Sequence, residues 1–400
     1  MTGIIAILGR QPALGLAELE SLFGAEKIQP LSAGAAVVDA EPQNFPMQRL
    51  GGTMKIARYL TDLPYTDWNK IEEYLVQELP KHTCCRPPGK IRLGLNAYGF
   101  KISLGRINAT GLTLKKVVKN PPDSEGRSVR VVPNKALELN TAQVIHNQLL
   151  GPTGLDLVLI KNGNKTILAQ TFAVQNIDAY AARDQKRPKR DARVGMLPPK
   201  LAQIIINLAT NNASPHTGAV LLDPFCGTGV VLQEAQLMGF DAYGTDLEPR
   251  MVEYSIDNLA WLHNTHDVPT NYYRIEIGDA TDFQWNNPNA IHFVACETYL
   301  GRPLTGIPAP PVLQKVIQDV DTIHRKFLQN LAKQTKPGFR ACIAVPAWRT
   351  KKGFAHLKTL DSLEELGYTR ISFAHVNDED LLYHRADQIV ARELVILKRI

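Results

Sequence analysis

Residues 223–229 read Asp-Pro-Phe-Cys-Gly-Thr-Gly, directly after an apolar, β-prone run at 220–222 and directly before residues 230–238, whose apolar positions have helical spacing. Two glycines where a strand turns into a helix let a ligand approach the backbone closely. A further strand-like segment at 241–244 leads into Asp246, whose carboxylate can accept two hydrogen bonds from a ribose diol, as the acidic residue does in dinucleotide-binding folds. Strand, glycine turn, helix, strand and carboxylate together describe a nucleotide-cofactor site. It is not the dinucleotide fingerprint, because Gly-Thr-Gly lacks the third glycine of GxGxxG, and no Gly-Lys-Ser/Thr for a triphosphate is present. The bland alternative is an ordinary strand-to-helix turn with two structural glycines.

The elements around this turn alternate. Helical spacing at 201–209, 230–238, 250–263 and 312–332 is interleaved with apolar segments at 220–222, 241–244, 273–277, 292–295 and 340–345, the order expected of a doubly wound parallel sheet. Segments at 371–374 and 393–397 predict an antiparallel edge pair. Upstream, strands at 3–8, 35–38 and 55–60 with helices at 12–23 and 68–79 predict a ferredoxin-like α+β unit over 1–82. Strands near 91–95, 129–132, 155–160 and 166–172, with a helix at 141–150, predict a second α+β unit over 83–179. Residues 180–194 are polar, charged and interrupted by Pro188, which predicts a linker before a cofactor domain at 195–400.

Four hundred residues with 44% hydrophobic content suit two or three packed units. No apolar run approaches the roughly 18 residues of a membrane span, and the start lacks the basic and cleavage features of a secretory signal, so a cytoplasmic protein without membrane attachment is expected. Five cysteines, odd in number and without CxxC spacing, argue for reduced thiols and against a disulfide framework or a Cys-rich metal site. The net charge of +6 is uneven. Residues 1–180 carry 20 basic against 15 acidic side chains, and residues 195–400 carry 19 against 22. The densest basic stretch, 90–135, includes Lys115, Lys116, Lys119, Arg130 and Lys135 and holds only Asp123 and Glu125 as acids. Such a stretch suits a polyanion or is a solvated basic face.

With these parts in order, the chain resembles the THUMP-domain class I S-adenosylmethionine-dependent RNA methyltransferases, in the group related to the tRNA guanosine-10 N2-methyltransferases. The resemblance covers nearly the whole length. It rests on Asp-Pro-Phe-Cys-Gly-Thr-Gly, on the succession of units, and on RPKRDARVGMLPPKLAQIIINLA at 187–209, which is similar to the family's junction between RNA-binding and catalytic domains. It implies a Rossmann-like methyltransferase domain preceded by ferredoxin-like and THUMP-like units, with S-adenosylmethionine as cofactor. By resemblance Asp223, Phe225, Cys226, Gly227, Gly229 and Asp246 form the cofactor site, with Asp279 and Ala280 contributing near the adenine and Pro198 near the methionine end. Asp279 capping a turn and Pro198 opening a helix are the structural alternatives. A monomer is expected. The resemblance also implies that the THUMP-like unit grips tRNA through Arg130, Asn134, Lys135 and Asn140; a turn role for Asn134 and a helix cap for Asn140 are equally open.

One motif departs from the family pattern. Where amine methyltransferases of this group carry Asp/Asn-Pro-Pro-Tyr/Phe, this chain has Cys296-Glu297-Thr298-Tyr299-Leu300-Gly301. Three readings are open: Glu297 orients the acceptor amine and Tyr299 stacks the base; Cys296 is a nucleophile toward a pyrimidine; or the chain binds cofactor and RNA without amine transfer. The expected function is direct methyl transfer to a guanine exocyclic amine of tRNA, with Glu297 and Tyr299 catalytic. A non-catalytic RNA-binding protein and a DNA amine methyltransferase are the alternatives.

Overall fold

The computed structural model describes residues 3–121, 125–191, 196–213, 218–268, 272–285, 290–304 and 306–400; Asp123 and positions 192–195 of the junction lie outside the described residues. By contact the chain divides into two units. The first comprises Met1–Pro12, Glu26–Gln48 and Thr53–Ile177, and the second comprises Ala13–Ala25, Arg49–Gly52 and Asp178–Ile400.

The first unit is built on one mixed sheet. Its strands are β1 (Ile4–Leu8), β2 (Ile28–Leu31), β3 (Ala35–Val38), β4 (Thr53–Leu63), β5 (Ile91–Tyr98), β6 (Val129–Val131), β7 (Gly154–Asn162) and β8 (Lys165–Val174), in the order β2-β3-β1-β4-β8-β7-β5-β6. The expected boundary between residues 82 and 83 therefore does not separate two bodies. β4 has β1 on one side and β8 on the other, with pairing to β8 running from Lys55↔Val174 to Leu63↔Thr166.

Helix α1 (Pro12–Phe23) follows β1; α2 (Trp68–Cys84), α3 (Leu104–Lys119) and α4 (Thr141–His146) belong to the first unit. Buried Ile71, Leu75 and Leu79 of α2 share one core with Ile107, Leu114 and Val118 of α3. Trp68 meets Phe100 edge-to-face at 5.2 Å and donates its indole N–H to Thr110. Inside this sheet the buried Lys55 ammonium donates to the Leu139 carbonyl and to Asn96, which also bonds Asp156, so these three buried side chains satisfy one another.

In the second unit, α5 (Ile177–Gln185) is followed by α6 (Pro199–Thr210), α7 (Val230–Leu237), α8 (Pro249–Thr265) and α9 (Pro310–Gln334). Its strands are β9 (Val220–Asp223), β10 (Asp241–Asp246), β11 (Tyr273–Ile277), β12 (Ile291–Glu297), β13 (Arg340–Thr350), β14 (Gly353–Ala355), β15 (Tyr368–Arg370), β16 (Leu382–Tyr383) and β17 (Val390–Arg399). The main path is β11-β10-β9-β12-β13-β17-β15. The first five are parallel, and β17 runs antiparallel between β13 and β15. α6 and α7 pack on one face, and α9 buries Leu313, Val320, Phe327, Leu328 and Leu331 on the other, a helical spacing that gives it one apolar side.

Two expectations are corrected here. The edge strand is at Tyr368–Arg370, not 371–374: Ile371 still bonds the Ile396 carbonyl of β17, but beyond it the Glu20 carboxylate of α1 accepts the backbone N–H groups of Ala374 and His375. The expected linker is partly helical and pinned. Arg183 of α5 forks onto buried Glu234 of α7 at 2.6 and 3.2 Å, and Gln203 of α6 donates to the same carboxylate.

Candidate active site

The carboxyl ends of β9, β10, β11 and β12 converge on the expected turn. The Phe225 N–H donates to Asp223, the Cys226 N–H to the Thr245 carbonyl and the Gly229 N–H to the Cys226 carbonyl, which folds 223–229 into a tight bend. The two glycines differ in what requires them. Gly229 (φ 78°) caps α7, and a Cβ there would lie 2.9 Å from the Ser255 hydroxyl of α8. At Gly227 (φ 51°) a Cβ would meet nothing nearer than the Phe225 carbonyl at 4.0 Å, so the turn opens there onto unfilled space. Ser255 and Asn258 of α8 donate to the Gly227 and Thr228 carbonyls at 2.8 Å, and Asn258 also exchanges hydrogen bonds with the Lys189 backbone.

Asp246 ends β10. Its two oxygens accept the N–H groups of Gly227 at 2.8 Å and Glu248 at 3.0 Å, which leaves further lone pairs on both. Burial raises its pKa, against those two hydrogen bonds. That geometry fits a ribose diol. Asp223 is almost fully buried, and burial, followed by the nearby charges of Asp246 and Glu297, raises its pKa well above the ordinary carboxylate range. Asp223 therefore shapes the bend from beneath. Phe225 packs edge-to-face on Phe327 at 5.0 Å, and Cys226 is buried.

Asp279 follows β11, and the Gly278 N–H bonds the Asp246 carbonyl. The Asp279 side chain accepts the Thr281 N–H at 2.9 Å, so it caps its own turn, and buried Ala280 is held through its carbonyl by Asn330. Pro198 is the N-cap of α6 and its carbonyl accepts from Leu201 and Ala202, the helix-opening role.

At the end of β12 the departing motif takes a definite form. The Arg392 Nε of β17 donates to Glu297 Oε1 in a short ion pair, with side-chain exposures of 6% and 16%. Thr298 points inward, where its hydroxyl bonds His324 Nε2 at 2.6 Å while Nδ1 faces the Val320 carbonyl. Burial pushes the His324 pKa down to about 4, so the ring is neutral with its proton on Nδ1. Tyr299 is 40% exposed. Cys296 is fully buried, and burial raises its thiol well above the ordinary range, which counts against the nucleophile reading. Arg392, Ser255, Asn258 and His324 escaped sequence reasoning; the adjacent charges Arg392-Glu393 inside an otherwise apolar strand were the available signal.

Of the expected RNA contacts, Lys115, Lys116 and Lys119 are exposed on α3, Arg130 is exposed on β6 and Lys135 is exposed in the following loop. Asn134 is corrected. It is buried, and its amide is occupied by the Leu95, Ala136 and Leu137 carbonyls, so it holds a turn. Asn140 forms a capping box with Gln143. All five cysteines are free, and among the described residues no cluster of His, Cys, Asp and Glu is arranged to hold a metal. No helix there is long and apolar enough to cross a membrane.

The strand order with a reversed β17 and a glycine turn after its central strand define a class I methyltransferase fold. TrmN from Thermus thermophilus superposes with a TM-score of 0.52 over all of both chains at 15% identity. A family model described as DNA methylase matches residues 128–257. In sequence the chain is related to the tRNA (guanine(10)-N2)-dimethyltransferases. It is 32% identical to that of Methanothermobacter thermautotrophicus over 184 residues, 46% of this chain and 48% of the relative. It is 27% identical to that of Pyrococcus abyssi over 175 residues, 43% of each. The chain spans about half the length of the curated relatives it matches.

Proposed function

We propose that this chain is an S-adenosylmethionine-dependent methyltransferase of tRNA that acts on a guanine N2 amine. The observation that carries the proposal is the placement of a half-buried carboxylate, Glu297, at the end of β12, on the other side of the β9 glycine turn from Asp246 at the end of β10. The similarity to the tRNA (guanine(10)-N2)-dimethyltransferases supports the choice of substrate.

S-adenosylmethionine supplies an electrophilic methyl group when bound. Asp246 holds its ribose, the turn at Gly227 gives its chain room, and Asp279, Ala280 and Pro198 border the site. Glu297 accepts a hydrogen bond from the acceptor amine and orients its lone pair, and Tyr299 stacks on the displaced base. The exposed lysines of α3, with Arg130 and Lys135, engage phosphates, and residues 83–179 act as the THUMP-like RNA-binding part. The same reading makes the protein a cytoplasmic monomer. Mass spectrometry of nucleosides from tRNA of a deletion strain and its parent tests it. Loss of an N2-methylated guanosine in the deletion strain is expected; identical nucleoside profiles overturn the assignment. Purified protein that binds cofactor and tRNA but transfers no methyl group favours the non-catalytic alternative.

A further inference from the structure

Arg392 is a buried cation in a strand whose neighbours Ala391 and Leu394 to Leu397 are buried and apolar. It lies opposite Pro346 of β13 and Tyr383 of β16, and Glu297 is its ion-pair partner across β13. A guanidinium removed from water requires such a partner, and a pair serving structure alone gains most when both forks close. Arg183 and Glu234 show that arrangement: two nitrogens meet two oxygens, and Gln203 adds a third donor. Glu393, next in sequence to Arg392, likewise has one oxygen on His356 and the other on Arg370.

Glu297 and Arg392 differ from both. Only Nε and Oε1 meet; among the described residues Nη1 and Nη2 donate to nothing and Oε2 accepts from nothing, yet none of these three atoms is sealed from solvent. The pair thus leaves an acceptor and donors unpaired side by side, at the end of β12 and within two residues of exposed Tyr299. An amine on a heteroaromatic ring with an adjoining ring nitrogen is the complementary edge: the amine donates and the nitrogen accepts.

We propose that Arg392 is a specificity residue. It donates from Nη to the ring nitrogen beside the acceptor amine while Glu297 Oε2 accepts from that amine, which on guanine pairs Arg392 with N3 and Glu297 with N2. The proposal rests on the reading of this site as an amine methyltransferase. Arg392→Lys keeps a cation beside Glu297 but loses the planar fork, so the fold and cofactor affinity should be retained.

The test measures methyl transfer by the full chain to an unmodified tRNA transcript and to the same transcript carrying 3-deazaguanosine at the methylated position. Loss of one recognition hydrogen bond should lower wild-type kcat/KM roughly tenfold on the deaza transcript, and Arg392→Lys should show a similar roughly tenfold loss on the unmodified transcript. The two losses should not multiply, because each removes the same contact. Fully multiplicative losses, or wild-type rates from Arg392→Lys, overturn the role of Arg392 while leaving the function reading intact. A wild-type enzyme that transfers nothing to the unmodified transcript overturns that reading and, with it, this one. Should Arg392→Lys unfold, the double variant Glu297→Gln/Arg392→Gln removes both charges together. The deaza penalty should vanish in it and overturns the proposal if it persists.

Discussion

The Gly227 backbone N–H donates to the Asp246 carboxylate at 2.8 Å, so the turn after β9 and the acid ending β10 form one hydrogen-bonded unit. Asp246 is thereby held in one orientation, with a lone pair left on each oxygen. Asp246→Ala should weaken S-adenosylmethionine binding by about 2–3 kcal/mol through loss of two charge-assisted hydrogen bonds, and Asp246→Asn by less. Calorimetric titration decides. Unchanged affinity in a folded Asp246→Ala variant removes the residue from the site.

The two glycines of the turn separate stability from binding. Gly229→Ala combines a positive φ with a Cβ 2.9 Å from the Ser255 hydroxyl. It should destabilise the protein by roughly 1–3 kcal/mol. Gly227→Ala meets open space, so its cost is the φ alone and its larger effect should fall on cofactor affinity. Thermal melting paired with titration checks the contrast; equal melting losses and equal binding losses would contradict it.

Much of this site was legible because its signals are local. Strand, turn, helix and acid occupy 27 consecutive positions, 220–246, and the backbone geometry follows from residue types at short spacing. What was not legible depends on distant partners. Arg392 meets a carboxylate 95 positions away, and nothing near either residue indicates the pairing. Helix α3 went unrecognised for another reason: Ile107, Gly111, Leu114 and Val118 have the right spacing, but two glycines and a run of lysines weaken the pattern until α2 covers it. The polar stretch that became α5 is helical because Arg183 finds Glu234, a tertiary contact. The expected division of the first 179 residues failed because an edge strand of a small α+β unit is also a surface for further pairing, and β8 occupies it.

Exposed lysines on α3 give the RNA-binding proposal a quantitative form. Neutralising Lys115, Lys116 and Lys119 together should weaken tRNA binding and flatten the log-log salt dependence by up to about 2–3 units of slope. Cofactor affinity should not change. Filter-binding titrations across a salt series suffice, and wild-type slope in the triple variant makes this a solvated face. Asn134→Ala should instead lower the melting temperature, since its amide satisfies backbone carbonyls.

His324 should make the protein sensitive to acid. Its folded pKa, about 4, lies below the ordinary 6.5, so between those values the unfolded chain binds more protons and stability falls as pH falls. The contribution is fully present above pH 6.5 and is lost as pH drops through 4, a difference of about 3 kcal/mol at full titration. Burial acts in the opposite sense on Glu18, whose pKa is raised to about 7 and whose contribution is fully present below 4.5 and lost as pH rises through 7. The two partly cancel in the wild type. Denaturant unfolding of wild type and His324→Gln at pH 7 and pH 4.5 isolates the histidine: the variant should lose less on acidification, and equal losses refute the assignment.

The chemistry at the end of β12 is tested by three residues in sequence. Glu297→Ala should reduce methyl transfer by ~100-fold or more with cofactor binding nearly intact, as expected of a group acting mainly in the transition state. The same change leaves Arg392 as a buried cation without its partner, so melting should be followed alongside the rate, and Glu297→Gln distinguishes lost charge from lost fold. Tyr299, exposed beside the pair, should lose productive binding as Tyr299→Ala but retain most activity as Tyr299→Phe, because stacking needs the ring and not the hydroxyl. Cys296 is sealed in the core, so Cys296→Ser should lower stability while the folded fraction transfers at wild-type rate. A covalent mechanism requires the opposite, a folded protein without activity. Wild-type rates from both Glu297→Ala and Tyr299→Ala place the acceptor site elsewhere on the fold.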